Sequence, residues 1–172
     1  MNLEEYLYHH IPLSQAMGIK VVEASAASAT ILVPLAPNIN HKQTAFGGSL
    51  HAAAALACWI YLYNRLEGAP QTQIVIAKST AEYKAPVTAN FLMTCLAPDE
   101  TAWQRFLKMY QAKGKGRITL CAETPGFCFQ GEFALLSSKL SREAAVACSP
   151  RRKPGVMFNQ NNEAVNTATE KI

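Results

Sequence analysis

The residues best placed for chemistry lie between Asn38 and Leu66. The stretch opens Asn38-Ile-Asn40-His41-Lys-Gln-Thr44-Ala-Phe46-Gly47-Gly48-Ser49-Leu50-His51. It continues Ala-Ala-Ala-Ala-Leu-Ala-Cys-Trp-Ile-Tyr-Leu-Tyr-Asn-Arg-Leu, an almost wholly apolar run. A Gly-Gly pair that opens a helix leaves backbone N–H groups without an intrahelical partner and lets an oxygen come close to them. Such donors hold an anion, or the negative charge that develops on a carbonyl oxygen during reaction. The alternative reading of Gly47-Gly48 is a tight loop-to-helix turn with no chemistry.

Other polar residues stand nearby. The Asn40 amide can orient water or donate to a reacting oxygen, and Asn38 competes for that role. Either residue can equally be an ordinary Asx-turn residue. His41 and His51 are acid–base types, but no carboxylate is spaced to orient them, which favours a structural or exposed role. Gly-Gly-Ser-Leu-His is not a G-x-S-x-G nucleophile elbow, so Ser49 reads as support for the first helical turn. No acidic residue occurs between Glu23 and Glu67. Hydrolysis would then need a base from elsewhere, with Glu82 and Glu123 as the candidates, or a water polarised by Asn40, Thr44 or Ser79.

These residues need a scaffold. The run from Leu50 to Leu66 is interrupted by His51 and Asn64 and is short for a membrane span, so a buried core helix is expected. Gly68 stands at a plausible C′ position. Ahead of it, a short helix within 1–17 is broken by Pro12, with Asn2 as a possible N-cap. Strands follow from Gly18 to about Glu23 and from Ala29 to Leu35, around a turn at 25–28. Beyond the long helix, strands are expected over Thr72–Tyr83, Asn90–Leu96, Arg117–Thr124 and Phe127–Ser138. Trp103, Phe106, Leu107 and Tyr110 recur at helical spacing within 100–112. Lys113-Gly-Lys-Gly-Arg reads as a flexible basic turn. Strands gathered around one long apolar helix imply an α+β fold, with an antiparallel sheet wrapped about that helix.

The 172 residues suit one domain with a real core. The net charge is +4. The excess is split evenly between the body and the segment from Ser149, too little for a nucleic-acid footprint. Five cysteines include no C-x-x-C pair and no zinc-ligand spacing with the four histidines. They read mostly as small buried hydrophobes, and a reducing, cytoplasmic setting fits them. No signal peptide is apparent and no membrane partner is expected. Packing signals fade after Ser137. We expect one domain over 1–148 and a polar tail over 149–172.

The motif Pro37-Asn38-x-Asn40-His41-x-x-Thr44-Ala45-Phe46-Gly47-Gly48-Ser49-Leu50 resembles the hotdog-fold thioesterases. Within them it is most similar to a bacterial thioesterase-like family that also occurs as the C-terminal domain of an acetyltransferase-fused protein. Glu82-Tyr83-x-x-Pro86-Val87 is a second match. The resemblance implies a sheet wrapped around the helix and two subunits joined edge to edge, as a homodimer or dimer of dimers. It implies an acyl-thioester site at that interface. The substrates would be acyl groups on coenzyme A or acyl carrier protein, with the pantetheine as part of the substrate and no separate cofactor or metal. Some members are described as malonyl-acyl-carrier-protein decarboxylases, which would feed the initiation of fatty-acid synthesis.

On that basis Asn40, Gly48 and Ser79 are the expected catalytic residues. Asn38, His41, Thr44, Phe46, Gly47, Ser49, Thr80 and Tyr83 are the expected substrate contacts. Ser79 would hold the attacking water or the substrate acid, or it is a plain strand residue. Lys113, Lys115 and Arg117 would meet coenzyme A phosphates or an acidic carrier face, or form a solvated turn. Three functions remain: hydrolysis, decarboxylation, which needs an oxyanion hole but no base to activate water, and non-catalytic acyl binding.

Overall fold

A computed structural model describes residues 2–67 and 72–137. The expected helix stop at Gly68, the domain limit at 148, the tail over 149–172 and Cys148 lie outside them.

The chain starts with helix α1 (Leu3–His10) and helix α2 (Pro12–Ala16). Asn2 caps α1 in a reciprocal box: its side chain accepts from Glu5 N, and the Glu5 carboxylate accepts from Asn2 N. Pro12 sits at the first position of α2, where its missing N–H costs nothing. Strands β1 (Lys20–Ala24) and β2 (Ser28–Val33) form a hairpin. The loop then contains a 3-10 turn (Ala36–Asn38) and leads to helix α3 (Gly47–Arg65). Strands β3 (Thr72–Tyr83) and β4 (Phe91–Leu96), helix α4 (Glu100–Lys113), and strands β5 (Lys115–Thr124) and β6 (Phe127–Ser137) complete the domain.

The six strands form one antiparallel sheet in the order β1-β2-β4-β5-β6-β3. Strict alternation in β2, β4 and β5 sends every second side chain to the concave face. Ala29, Ile31, Val33, Met93, Cys95, Leu120, Ala122, Phe127 and Phe129 are buried there. The 19 residues of α3, about 28 Å long, lie in that concavity. Ala53, Ala54 and Ala57 are fully buried. Their small side chains let the sheet approach the helix, and a large residue at Ala57 would overpack the core by about 1–3 kcal/mol.

The chain leaves β2, runs along α3 and returns at the opposite edge of the sheet as β3. There, among the described residues, β3 pairs only with β6, over the register from Thr72↔Ser137 to Tyr83↔Phe127, with a bulge between Ile76 and Lys78. Among the described residues no helix is long and apolar enough to cross a membrane.

Helix α4 is capped by Asp99 and buries Trp103 and Phe106. Arg65 at the end of α3 covers the Trp103 ring and faces Glu100 at 3.6 Å. Gly114 takes a left-handed turn (φ 65°) and β5 begins at the next residue. The expected basic turn at 113–117 is therefore the start of a strand, because one glycine suffices to end α4 and reverse the chain. Cys58 and Cys95 are buried as expected, but Cys121 is exposed. The alternation of β5 puts Cys121 on the outer face with Arg117 and Thr119.

Candidate active site at the start of the central helix

Asn38 pins the loop before α3. It is 2% exposed, and its Nδ2 donates to the carbonyls of Met17 and Pro34, both at 2.8 Å. Its backbone carbonyl accepts from Phe46 N at 2.7 Å, closing the loop. Asn38 is thus a buried brace, with no side-chain hydrogen left for a substrate.

Asn40 organises the tip of the same loop. Its Oδ1 accepts from Lys42 N and Thr44 N, and its Nδ2 donates to Thr44 Oγ1 at 2.9 Å and to the Ala45 carbonyl at 3.3 Å. Both amide hydrogens are engaged within the loop. Gln43 completes the turn at a positive φ of 61°. Ala45 N donates to the Val87 carbonyl at 2.8 Å, which fastens the loop to the segment before β4. His41 is exposed at the loop surface. Thr44 is half-buried and held by Asn40.

Phe46 is the N-cap of α3 and takes an extended conformation (φ −66°, ψ 133°). No side chain caps this end, and no acidic residue lies in the first turn. The first helical hydrogen bond runs from Leu50 N to Phe46 O, so the N–H groups of Gly47, Gly48 and Ser49 have no helical carbonyl ahead of them. The Gly48 backbone is exposed. Two rings flank the glycines. A Cβ on Gly48 would collide with the Phe46 ring, and a Cβ on Gly47 would lie 3.2 Å from the Tyr83 ring. Phe46 and Tyr83 are 55% and 57% exposed. The glycines therefore let two open aromatic faces close on the helix end. This makes a cradle with backbone donors at its base and the positive end of the α3 dipole behind them.

One turn further on, His51 reaches β3. Its Nε2 lies 3.0 Å from Ser79 Oγ, and its ring meets Phe129 edge-on at 5.1 Å. Ser79, Ala81 and Tyr83 share the concave face of β3, while Thr80 and Glu82 face outward. Thr80 pairs with Gln130 and lines an outer cavity of about 350 Å³ with Glu82, Lys84, Cys121, Glu123 and Cys128. The structure thus groups Gly47, Gly48, Ser49, Phe46, Tyr83 and Ser79, and it separates Thr80 from them. Glu82 and Glu123, the bases expected from elsewhere, also lie on the outer face. Arg117 is paired with Glu132 at 2.8 Å. With Arg105 and Lys115 it lines an outer groove of about 870 Å³ against α4, on the far side of the sheet from Ser79.

Sequence reading left His51 without a partner. A signal was present, since His51 is the sole basic side chain between Lys42 and Arg65 and sits one turn past the glycines. The buried Cys58 offers no alternative nucleophile. A hydrogen bond with Cys95, together with burial, pushes Cys58 well above the ordinary thiol range. Among the described residues no group of three His, Cys, Asp or Glu side chains is placed to hold a metal ion.

Residues 1–137 match the family described as "Putative thioesterase (yiiD_Cterm)". The fold recurs in solved structures. One is a Chlorobaculum tepidum protein of unknown function, 34% identical, with a TM-score of 0.74, the match covering 78% of this chain and 92% of that one. Another is described as a putative thioesterase from Shewanella oneidensis, 25% identical, with a TM-score of 0.67 and coverage of 78% and 94%. A Haemophilus influenzae thioesterase shares the fold at 12% identity, with a TM-score of 0.61 and coverage of 80% and 90%. The architecture is the hotdog fold, and the chain belongs to the yiiD C-terminal family matched over residues 1–137.

Proposed function

We propose that the protein hydrolyses acyl thioesters carried on coenzyme A or acyl carrier protein, and that the α3 N-terminus receives the thioester carbonyl oxygen. The observation that carries this reading is the uncapped first turn at Gly47-Gly48, flanked by the Phe46 and Tyr83 rings. Attack on a thioester turns its carbonyl oxygen into an oxyanion. Backbone donors already aimed at that position stabilise the charge without reorganising, which is worth about 3–4 kcal/mol per donor in comparable sites. The half-exposed aromatic faces suit the apolar part of an acyl-pantetheine arm. Loop residues Asn40, His41 and Thr44 shape the rim.

A second copy of the chain completes the site in this reading. Strand β3 is a 12-residue edge with Val75 and Ile76 about 40% exposed. Pairing along it would cover unpaired backbone groups and the exposed side of the cradle.

Malonyl-thioester decarboxylation is the second reading. One observation favours it: the loop and helix lack any acid, and Glu82 and Glu123 face away from the cradle. Loss of carbon dioxide needs the oxyanion donors but no base to activate water. Purified protein incubated with malonyl- and longer acyl-thioesters of both carriers separates the readings. Free thiol marks the hydrolase, and an acetyl thioester plus carbon dioxide marks the decarboxylase. Tight binding without turnover would leave an acyl-binding module and overturn both.

A further inference from the structure

We propose that His51 and Ser79 act as the base and nucleophile of this site, which rests on the hydrolase reading above. Ser79 Oγ and His51 Nε2 are 3.0 Å apart, within the range at which a base removes a hydroxyl proton. They come from different elements, the first turns of α3 and the middle of β3. Their meeting therefore depends on the wrap of the sheet about the helix. Both are half-buried rather than sealed in the core.

The surroundings fix the imidazole. Phe129 meets it edge-on, with the planes 80° apart. Opposite Ser79 in the ladder stands Gly131. The Phe129 and Phe133 rings close over that glycine so tightly that a Cβ there would lie 2.8 Å from each. The floor beside the pair is thus apolar. A histidine on an apolar helix loses water there, and the Ser79 hydroxyl supplies its polar contact. A structural hydrogen bond would explain that much. Two further facts point to chemistry. The pair sits one helical turn, about 5.4 Å along the axis, from the uncapped amides of Gly47 and Gly48. The rival groups are also committed elsewhere: both Asn40 amide hydrogens are engaged in the loop, and Glu82 and Glu123 are on the outer face.

The steps balance as follows. His51 Nε2 takes the hydroxyl proton as Ser79 Oγ bonds to the thioester carbonyl carbon, and the carbonyl oxygen becomes an oxyanion on the backbone donors. The oxyanion collapses, the C–S bond breaks, and the departing sulfur takes the proton from the imidazolium. Ser79 then carries the acyl group as an ester. Water attacks that ester while His51 takes its proton. The C–Oγ bond breaks and Ser79 recovers the proton. The sum is thioester plus water giving carboxylic acid plus thiol.

The test uses the purified full chain and an acyl-coenzyme A series, with thiol release followed continuously. Wild type, Ser79→Ala, His51→Gln, the double variant and Ser79→Thr are compared, with thermal melts to confirm folding. Ser79→Ala and His51→Gln should each lower kcat at least about 100-fold with KM changed less than about threefold. The double variant should lose no more than the worse single variant, as groups acting as a unit do. Ser79→Thr, which keeps a hydroxyl and the strand, should retain more activity than Ser79→Ala. Acid quench of turning-over wild type should give a Ser79 peptide heavier by one acyl group. Wild-type thiol release that survives Ser79→Ala would overturn the pair and leave the hydrolase reading standing. Absence of the acyl-peptide, or additive losses in the double variant, would also overturn it. No thiol release by wild type from any thioester would remove the hydrolase reading and the pair with it.

Discussion

The hydroxyl of Tyr83 donates to the carbonyl oxygen of Gly47 across 3.2 Å, tying the last residue of the edge strand to the first residue of the central helix. The same ring leans on the Gly47 Cα and on Phe127, 5.0 Å away between centroids. Removing only the hydroxyl, in Tyr83→Phe, should keep the ring contacts. A net loss of about 0.5–1 kcal/mol is expected in urea unfolding, since the Gly47 carbonyl is accessible and water can replace the donor. Thioester turnover should fall only a few-fold. Tyr83→Ala, which opens one wall of the cradle, should fall by more than tenfold while remaining folded.

Gly48→Ala tests the other wall. The new methyl would occupy the space of the Phe46 ring. That ring is more than half exposed and can swing away, and alanine favours the helix by about 1 kcal/mol over glycine. Stability should therefore change by less than about 1 kcal/mol. Turnover should drop at least tenfold, because the displaced ring and the methyl both crowd the donors. Unfolding curves and thiol-release kinetics on the same preparation separate the two effects.

Asn38 and Asn40 lie two residues apart yet should fail differently. Asn38→Ala strips the Met17 and Pro34 carbonyls of their buried partner and should cost about 2–3 kcal/mol of stability. Asn40→Ala should cost less than half of that, because the loop tip is open to water. It should nevertheless reduce turnover, by loosening the Thr44-Ala45 segment that leads into Phe46. Asn40→Asp keeps the acceptor for Lys42 N and Thr44 N but loses the two donated bonds. It should fall between wild type and Asn40→Ala in a urea series.

The N-terminal helix is held partly by charge. Lys20 hydrogen-bonds Glu4 at 2.9 Å and holds the Glu4 carboxyl below its ordinary range. Burial opposes this shift, and the Val21 N–H adds to it. Because the folded value lies below the unfolded one, the contribution is present above the unfolded value. It is lost as the pH falls through the folded value. Melting temperature against pH should therefore decline more steeply on the acid side for wild type than for Glu4→Gln. The difference should shrink in about 1 M salt, where charges are screened within about 3 Å.

Much of this was readable in the chain. The Ala52–Ala57 run and the Gly-Gly start announced α3 because an apolar helix has few other places to lie. The alternation of Phe91-Leu-Met-Thr-Cys-Leu marked β4. The neighbour of β3 was not readable: β3 precedes β4 but pairs with β6, a choice made by the crossing of α3 and not by local pattern. The same gap separated Ser79 from Thr80, since period-two alternation sends them to opposite faces but does not say which face meets the helix. The His51 contact with Ser79, 28 residues away, depends on that crossing too. Asn40 was recognised by type, but the consumption of its amide by Thr44 and Ala45 is a property of the folded loop.

The two margins of the sheet are unequal. At β1 the Glu4 carboxylate occupies Val21 N, and a bulge between Val21 and Glu23 breaks the ladder. At β3, among the described residues, no further strand pairs with the outer margin. Among the described strands, a sheet with one blunted margin and one open margin offers a single edge for edge-to-edge pairing. Were a second copy to pair along β3, as proposed above, the contact would close on itself and leave neither copy an open edge for a fibre.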